Sequence, residues 1–378
     1  MKETILVLML LILNLSAHSQ HKIDTIPFSL SSKLLTFKAK INGVETQFAF
    51  DTGAGIGVLT KQQSVASRVS ITGKKNIEDS NQNVSGMSEA MIDEITIGSF
   101  SIKNSKSVVY DMPFLSCNNY YLLGGNVINQ LNWKFDFKQK LLFVSKEAFE
   151  PTSEMVKIPV KYKKNRHFFD FYINDKLYTN CLIDFGYSSF FEVSDDDKYF
   201  KKLKKEKEEK GEIINGKRFS QGLTSRSTTD YSAFLFDGLK LENTLINNIK
   251  VEIKENTENK IGIKFFTSTC NSLIINTIKS EYYVELLNKP VINYLSYAAD
   301  CYYKDEKLII VGKITAKNAK PVDLEIGEEI KSINKKTALD FKDECEFIKW
   351  QLENSTLSQN EIEKKDGKII LVEMQKLE

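Results

Sequence analysis

Histidine is scarce in this sequence of 378 residues, which contains only His18, His21 and His167. We expect His18 to lie in a removed N-terminal segment and His21 at the new N-terminus, which leaves one imidazole in the folded body. A zinc site with several histidine ligands is therefore excluded, and a Ser-His-Asp or Cys-His enzyme would depend on His167 alone. The chemistry of this chain is expected to use carboxylates.

A large excess of charge of one sign is also missing, because 52 Lys+Arg stand against 50 Asp+Glu and the net charge is +2. A protein that neutralises nucleic-acid phosphates should be basic, so we expect no nucleic-acid partner. The cysteines show no C-x-x-C spacing, so no metal site, redox motif or cofactor is predicted. Most should be small buried residues, and one or two disulfides could form in an oxidising compartment. They are Cys117, Cys181, Cys270, Cys301 and Cys345.

Long apolar runs are absent after the N-terminus, where a membrane span would need ~20 residues. Residues 5–15 form a shorter apolar run, with Lys2 before it and Ala17-His18-Ser19 after it. This is the pattern of a cleavable secretory signal over residues 1–19. We therefore predict an exported protein, periplasmic or secreted, with no membrane span in the mature chain.

Short alternating segments with turn signals fill the chain up to about residue 285 and predict β-sheet lobes. Residues 35–41 alternate between apolar and polar side chains, and Asn42-Gly43 marks a tight turn. Residues 45–50 form the return strand and lead directly to Asp51. A strand that ends on an aspartate in a glycine turn is the first candidate for a functional loop.

The same layout recurs around a second aspartate. Residues 168–173 alternate, Asn174-Asp175 can turn, and residues 177–183 lead to Asp184. Four landmarks in the first segment have partners in the second, in the same order and at offsets between 133 and 140 residues. We infer an internal duplication of about 130 residues that forms two lobes. The paired landmarks are Asp51 with Asp184, Gly86 with Gly222, Gly98 with Gly238, and Gly124 with Gly262.

Two further segments differ from this β pattern. Residues 195–210 are highly charged, with a narrow apolar stripe, and predict a surface helix. Beyond about residue 284 the chain combines strand patterns with residues 340–352, which have apolar positions at helical spacing. This part predicts a separate mixed α/β module of roughly 90 residues.

Two aspartates in glycine turns have a specific chemical use when their loops meet. Residues 48–50 are apolar and deliver Asp51 into Thr52-Gly53-Ala54. Gly53 has no Cβ, so the chain can bend tightly and present its N–H to the carboxylate. Two adjacent carboxylates cannot both ionise easily, so such a pair holds one proton. One then activates water as a general base, and the other protonates or polarises an amide carbonyl.

The segment Phe50-Asp51-Thr52-Gly53-Ala54 resembles the active-site loop of retropepsin-like aspartic proteases. Residues 86–91 resemble the flap of that family, and Leu122-Leu123-Gly124 resembles its hydrophobic-hydrophobic-Gly motif. The resemblance implies a mainly β fold with two closed-barrel acid-protease lobes in tandem, residues 20–150 and 151–285. It also implies an aspartic endopeptidase that hydrolyses a polypeptide substrate between the lobes, without a metal or a cofactor.

The resemblance assigns roles to individual residues of this sequence. Asp51 and Asp184 are the implied catalytic pair. The implied supporting residues are Thr52, Gly53 and Gly186 in the active-site loops, and Gly86 and Met87 in the flap over the substrate.

The second loop departs from the family pattern, because Phe185 replaces Thr and Tyr187 replaces Ala or Ser. A phenylalanine side chain cannot make the cross-loop hydrogen bond, so we expect Thr52 to lack a partner there. Two alternatives therefore stay open. One is a catalytically decayed scaffold that binds peptides or proteins, and the other is a homodimer in which Asp51 pairs with Asp51 of a second copy. The oligomeric state is left open.

Residues 286–378 resemble a bacterial PDZ domain. The resemblance is carried by residues 309–314, by residues 316–319, by residues 324–330 and by Ile333-Asn334. It implies a small α+β domain that could bind the C-terminus of a peptide at a sheet edge. No Gly-Leu-Gly-Phe-type loop precedes Leu308, so a purely structural cap remains the alternative.

Overall fold

The structure is a computed structural model of the chain. The predicted signal segment, the turn at Asn174-Asp175, and Asn318 in the PDZ-like segment lie outside the residues that it describes. The described residues are 22–79, 83–173, 176–224, 226–241, 244–255, 257–288, 295–317 and 319–376.

The fold is mainly β, as the alternating segments predict. We use lobe 1, lobe 2 and C-terminal module as labels for residues 20–150, 151–285 and 286–378; this division into domains stays our proposal. The strands of lobe 1 are β1 (Ile23–Ser29), β2 (Thr36–Ile41), β3 (Val44–Phe50), β4 (Gly57–Leu59), β5 (Ser70–Glu78), β6 (Val84–Ile97), β7 (Phe100–Val109), β8 (Tyr120–Leu123), β9 (Asn132–Asp136) and β10 (Leu141–Ser145). Its helices are α1 (Lys61–Ala66), α2 (Pro113–Asn118) and α3 (Gly125–Ile128).

Lobe 2 repeats this composition with two longer helices. Its strands are β11 (Val156–Lys163), β12 (Arg166–Ile173), β13 (Lys176–Asp184), β14 (Phe191–Ser194), β15 (Ile214–Gln221), β16 (Arg226–Phe236), β17 (Leu239–Leu241), β18 (Thr244–Ile246), β19 (Ile249–Lys254), β20 (Lys260–Gly262), β21 (Cys270–Asn276) and β22 (Glu281–Leu286). Its helices are α4 (Lys198–Glu209) and α5 (Ile263–Thr269).

The described residues of the C-terminal module form strands, a 3-10 helix and an α-helix, the mixed composition that its sequence predicts. Its strands are β23 (Leu295–Tyr297), β24 (Ala299–Lys304), β25 (Lys307–Thr315), β26 (Glu329–Ile333), β27 (Lys336–Thr337), β28 (Gln359–Lys364) and β29 (Ile369–Lys376). The 3-10 helix is Ala338–Asp340 and the α-helix is α6 (Glu344–Glu353).

Local sequence explains the strand ends and the predicted surface helix. Asn42 and Gly43 have φ values of 47° and 81°, the left-handed conformations that a two-residue hairpin turn requires. Helix α4 begins after Asp197, whose carboxylate accepts hydrogen bonds from the N–H groups of Tyr199 and Phe200 at 2.8 and 3.1 Å. Phe200 is fully buried, so the helix packs by its apolar stripe. None of the described helices is long and apolar enough to cross a membrane.

The two lobes contain the same arrangement of strands around each aspartate. In lobe 1, β3 lies parallel to β8, and β4 lies between β7 and β8. In lobe 2, β13 lies parallel to β20, and β14 lies between β19 and β20. Each aspartate therefore lies at the end of a strand that has a parallel partner in its own lobe.

A shared sheet and a shared core join the lobes. Strands β1, β10, β9, β21, β22 and β11 pair in that order, and the β9–β21 pairing crosses from one lobe to the other. One apolar cluster runs continuously from Ile26 in lobe 1 to Val284 in lobe 2. The relative position of the two aspartate loops is thus determined by a packed core.

The C-terminal module has its own apolar core, which includes Leu308, Leu324 and Phe347. It is attached to both lobes. Strand β25 pairs with β15 of lobe 2, and a disulfide joins Cys117 in α2 to Cys345 in α6. Of the other cysteines, Cys181, Cys270 and Cys301 are buried and free, which agrees with the expectation of small buried residues.

Candidate functional site

Asp51 and Asp184 occupy equivalent loops, and each carboxylate is held by backbone N–H groups of its own turn. Asp51 Oδ1 accepts hydrogen bonds from Gly53 N at 2.8 Å and from Ala54 N at 3.1 Å. Asp184 Oδ1 accepts one from Tyr187 N at 3.0 Å. These bonds fix the orientation of both side chains.

The tertiary structure brings the two carboxyl groups together, and they are hydrogen-bonded to each other. The two glycines allow this approach. A Cβ atom at Gly53 would lie 2.5 Å from Cγ of Asp184, and one at Gly186 would lie 2.5 Å from Oδ2 of Asp51. Any side chain at either glycine would push the opposite aspartate away, so both glycines are part of the site.

Burial and proximity raise the pKa of both aspartates. Asp51 and Asp184 are 8% and 9% exposed. For Asp51, burial is the larger cause and the charge of Asp184 is the second. For Asp184, burial raises the pKa although the Lys260 ammonium opposes it. The pair therefore retains a shared proton at a pH where an exposed aspartate would be ionised.

Thr52 has partners across the lobe interface, so the expectation that it would lack one is wrong. Its hydroxyl donates to the carbonyl oxygen of Ile183 at 2.6 Å and accepts from the N–H of Phe185 at 3.2 Å. The backbone of Phe185 provides this contact, and a backbone N–H does not depend on side-chain type. The substitution of Thr by Phe therefore leaves the cross-loop bond of Thr52 in place.

The ring of Phe185 is fully buried in an aromatic cluster between the lobes. Its centroid lies 5.7 Å from that of Phe50, 6.2 Å from that of Phe135 and 5.1 Å from that of Phe266. A threonine could not fill this space. Phe185 thus replaces a side-chain hydrogen bond with apolar packing at the base of the site.

A buried ion pair lies beside Asp184, and no sequence pattern predicts it. The Nζ of Lys260 lies 3.0 Å from Oε1 of Glu192, and both side chains are 7% exposed. Nothing in the local sequence marks either residue, because they are neighbours only through the antiparallel pairing of β14 with β20. Position 260 lies two residues before Gly262, the counterpart of Gly124 in the duplicated pattern.

The hairpin of β5 and β6 is the predicted flap, but its cavity-lining residues differ from those expected. Gly86 and Met87 lie on β6, opposite Asn76 and Lys75. Residues 75–79 line the cavity that contains Asp51 and Asp184, whereas Met87 is buried in an apolar cluster beneath the hairpin. The cavity has a volume of about 1560 Å³.

A second hairpin, formed by β15 and β16 of lobe 2, meets the first at its tip. The N–H and the hydroxyl of Thr224 donate to Oδ2 of Asp79 at 3.1 and 2.8 Å. Leu223 packs against the apolar cluster of Val58 and Met87 in lobe 1. The cavity is therefore covered by two hairpins, one from each lobe.

His167 has a structural position. It is fully buried between Tyr282 and Asn129, with Nε2 2.5 Å from Oδ1 of Asn129. Burial lowers its pKa to about 3, so the ring is neutral. Within the described parts of the chain, no group of three or more His, Cys, Asp or Glu side chains is arranged to hold a metal ion.

Comparison with known proteins finds similarity to aspartic proteases over part of the chain. The family model described as aspartyl protease matches residues 37–127. A crystal structure of a retropepsin-like aspartic protease from Rickettsia conorii is 22% identical; the alignment covers 33% of this chain and 92% of that one, with a TM-score of 0.25. No curated protein is significantly similar to this chain. The match thus covers the segment with Asp51, Thr52 and Gly53, and stops before Asp184.

Proposed function

We propose that the chain is an aspartic endopeptidase whose catalytic pair is Asp51 and Asp184. The observation that carries this proposal is the direct contact of two buried carboxyl groups, each oriented by N–H groups of a glycine turn. The match of the aspartyl protease family to residues 37–127 supports it.

The positive charge next to Asp184 suggests how the shared proton is distributed. Lys260 favours the ionised form of Asp184, so the proton rests mainly on Asp51. Asp184 then removes a proton from a water molecule between the carboxyl groups, and Asp51 donates its proton to the carbonyl oxygen of the scissile amide. The water oxygen bonds to the carbonyl carbon and gives a tetrahedral intermediate with two hydroxyl groups. Asp184 then donates the proton that it took from water to the amide nitrogen, and Asp51 takes back a proton from one hydroxyl group. The C–N bond breaks, which releases the carboxylic acid and the amine and restores the shared proton.

Substitution of the pair tests this function. Asp51→Asn and Asp184→Asn should each lower the rate of cleavage of an unfolded polypeptide by roughly 10²–10⁴-fold, the usual contribution of general acid–base catalysis. Asp93→Asn is a matched control, because Asp93 is exposed on β6 and should cleave like wild type. Equal cleavage by wild type and Asp51→Asn would show that the assignment is wrong.

The two alternatives make different predictions for the same variants. A binding scaffold would show no cleavage by wild type that depends on Asp51. A pair made between two copies would keep full activity in Asp184→Asn. The contact of Asp51 with Asp184 and the retained partners of Thr52 favour the intramolecular pair.

We also propose that the chain is exported after removal of residues 1–19 and that its C-terminal module is a PDZ-like domain. The disulfide between Cys117 and Cys345 supports an oxidising compartment. Fluorescence anisotropy with peptides that differ only in a free or amidated C-terminus tests peptide capture. Equal binding of both forms would favour a structural cap.

A further inference from the structure

The two halves of the cleft differ in chemistry at equivalent positions. In lobe 1, Val58 is paired with Val108 on one side and with Leu122 on the other. Met87 and Ile77 on the first hairpin belong to the same apolar cluster. The wall of the cavity next to Asp51 is thus apolar.

The strand register identifies the equivalent positions in lobe 2. Phe50 and Ile183 precede the two aspartates, and they pair with Leu123 and Ile261 respectively. The residue before Ile261, Lys260, is therefore the counterpart of Leu122. The pairings of the neighbouring strands give the lobe 2 counterparts of the other apolar residues in the same way. These residues are Val58, Val108, Met87 and Ile77.

Every one of these counterparts is polar or charged. Glu192 pairs with Lys260 on one side and with Glu252 on the other, so these residues replace Val58, Leu122 and Val108. Tyr231 replaces Met87 and Arg218 replaces Ile77, because each pair occupies the same register position in its hairpin. The wall next to Asp184 is therefore a polar pocket built on the framework that is apolar in lobe 1.

The carboxylates of this pocket already have their hydrogen-bond donors. Glu252 accepts from Lys250 at 2.7 Å, from the hydroxyls of Tyr187 and Ser189 at 2.6 and 2.7 Å, and from Tyr231 at 3.3 Å. Burial disfavours its charge, but Lys250 and the hydroxyl groups of Tyr187 and Ser189 lower its pKa to about 2, so it is ionised. Its acceptor capacity is used within the protein.

Glu192 is satisfied in the same way. It accepts from Lys260, and Thr257 donates its hydroxyl at 2.5 Å. Neither acidic residue of the pocket is therefore available to bind a cationic substrate group. Selection between substrate groups by this wall therefore depends on hydrogen-bond donors that have no acceptor within the protein.

Two cationic side chains at the pocket have no carboxylate partner among the described residues. Arg218 lies 4.8 Å above the ring of Tyr231 and donates to the hydroxyl of Ser296, and its buried Nε has no hydrogen-bond partner in the described structure. The ammonium of Lys264 lies 5.2 Å above the ring of Phe190. Both residues line the cavity that contains the catalytic pair.

The charges around these two cations leave both without an ion pair in the described structure. Burial disfavours the charge of Arg218, but Tyr231, Asp300 and Glu252 outweigh it electrostatically and raise the pKa of Arg218, so its guanidinium is charged. Partial burial of the Lys264 ammonium, followed by the charges of Lys250 and Lys33, lowers the pKa of Lys264. A bound carboxylate would give these cations an ion-pair partner and supply an acceptor for the unpartnered Nε of Arg218.

We propose that Arg218, with Lys264, forms a subsite for a carboxylate of the substrate on the lobe 2 side of the scissile bond. This inference rests on the proposed peptidase function and adds a substrate class to it. A guanidinium binds a carboxylate through two parallel hydrogen bonds, which makes it selective for Asp or Glu over Gln. The carboxylate belongs either to an acidic side chain or to the C-terminus of the peptide.

Peptide cleavage with matched substrates tests the subsite. Capped peptides with Glu near the scissile bond should be cleaved with a kcat/KM roughly 10- to 100-fold above that of the same peptides with Gln. Arg218→Gln should abolish this preference, and Lys217→Gln, on the exposed face of the same strand, should keep it. Uncapped peptides with a free C-terminus identify a C-terminal carboxylate as the ligand if they are preferred instead.

The outcomes separate this inference from the catalytic assignment. Cleavage that depends on Asp51 but shows no preference for either carboxylate overturns the subsite and leaves the peptidase function intact. If wild type cleaves nothing, binding of the Glu and Gln peptides to Asp51→Asn is compared by fluorescence anisotropy, and equal affinities overturn the subsite. If Arg218→Gln does not fold, Lys264→Gln replaces it, because Lys264 is exposed at the rim. A preference that persists in a folded variant at Arg218 also overturns the proposal.

Discussion

At the scale of single residues, the site depends on carboxyl groups whose ionisation is controlled by their surroundings. Asp51 and Asp184 each use one oxygen to accept backbone hydrogen bonds and approach each other across two glycines. The hydrogen bonds favour the charged form, whereas burial and the second carboxyl group disfavour it. The second effect is larger, so the pair holds a proton that a general acid needs.

The proton held by the pair predicts the alkaline limit of activity. Burial, followed by the charge of Asp184, raises the pKa of Asp51 to about 8. We expect kcat/KM to be maintained at neutral pH and to fall about tenfold per pH unit as the pH rises through about 8, because the shared proton is lost. A pH profile from 5 to 10 measures this. An activity that increases between pH 8 and 9 would contradict it.

Stability should follow the same titration. Asp51 ionises near 3.8 in the unfolded chain and near 8 in the folded one, so the folded state binds the extra proton between these values. The contribution of Asp51 to the free energy of unfolding is therefore largest below pH 3.8 and decreases as the pH rises toward 8. Asp51→Asn has no such proton, so its stability relative to wild type should increase between pH 4 and pH 8 in urea unfolding.

At the scale of elements, the two hairpins determine access to the pair. The β5–β6 hairpin of lobe 1 and the β15–β16 hairpin of lobe 2 meet where Thr224 donates to Asp79. This contact is small compared with the strand pairing that holds each hairpin. We expect a polypeptide substrate of the proposed peptidase to reach the cavity by local separation of the tips, without loss of the lobe cores.

Removal of the hydroxyl at the tip contact tests this function of the hairpins. Thr224→Val keeps the shape and the backbone bond but loses the 2.8 Å hydroxyl bond. Since such a bond contributes about 1 kcal/mol, hydrogen exchange at residues 75–79 should become roughly fivefold faster. Thr179→Val, at an exposed position of β13, should leave this exchange unchanged. Unchanged exchange in Thr224→Val would show that the tips are held by other contacts.

At the scale of the whole molecule, the C-terminal module is connected to both lobes. The disulfide ties it to lobe 1, and the pairing of β25 with β15 ties it to the hairpin of lobe 2. Both attachments lie next to the cavity, which the module also lines at Ser296 and Tyr302. Movement of the second hairpin is thus coupled to the position of the module.

From the disulfide we predict an effect on stability and the number of free thiols. Cys117 and Cys345 are 228 residues apart, so Cys345→Ser should lower the free energy of unfolding by about 2–5 kcal/mol under oxidising conditions. Urea unfolding measures the loss, and Cys117→Ser/Cys345→Ser should cost no more than the single variant. Reductant should remove the difference from wild type.

Thiol counting on exported protein provides the control for this prediction. Alkylation of the denatured, unreduced chain should label the three cysteines that are free in the structure, and reduction should raise the count to all five. Five labelled thiols without reduction would contradict both the bridge and the oxidising compartment.

The local elements of the site follow from the sequence alone. A strand that ends on Asp51-Thr52-Gly53 folds its carboxylate onto the N–H groups of the next residues, because partners two or three positions apart need no tertiary structure. The alternation of β2, the Asn42-Gly43 turn and the charged helix α4 were predictable for the same reason.

The tertiary structure decided every contact between distant segments. The Phe185 backbone as a partner of Thr52, the Lys260–Glu192 ion pair and the bond of Cys117 to Cys345 all depend on strand register and on the docking of separate units. A one-residue change in register would turn these side chains to the opposite face, so composition and motifs do not determine them. The sequence by itself determined that two aspartate loops exist, and the packed interface between them determined that they form a single proton-sharing pair.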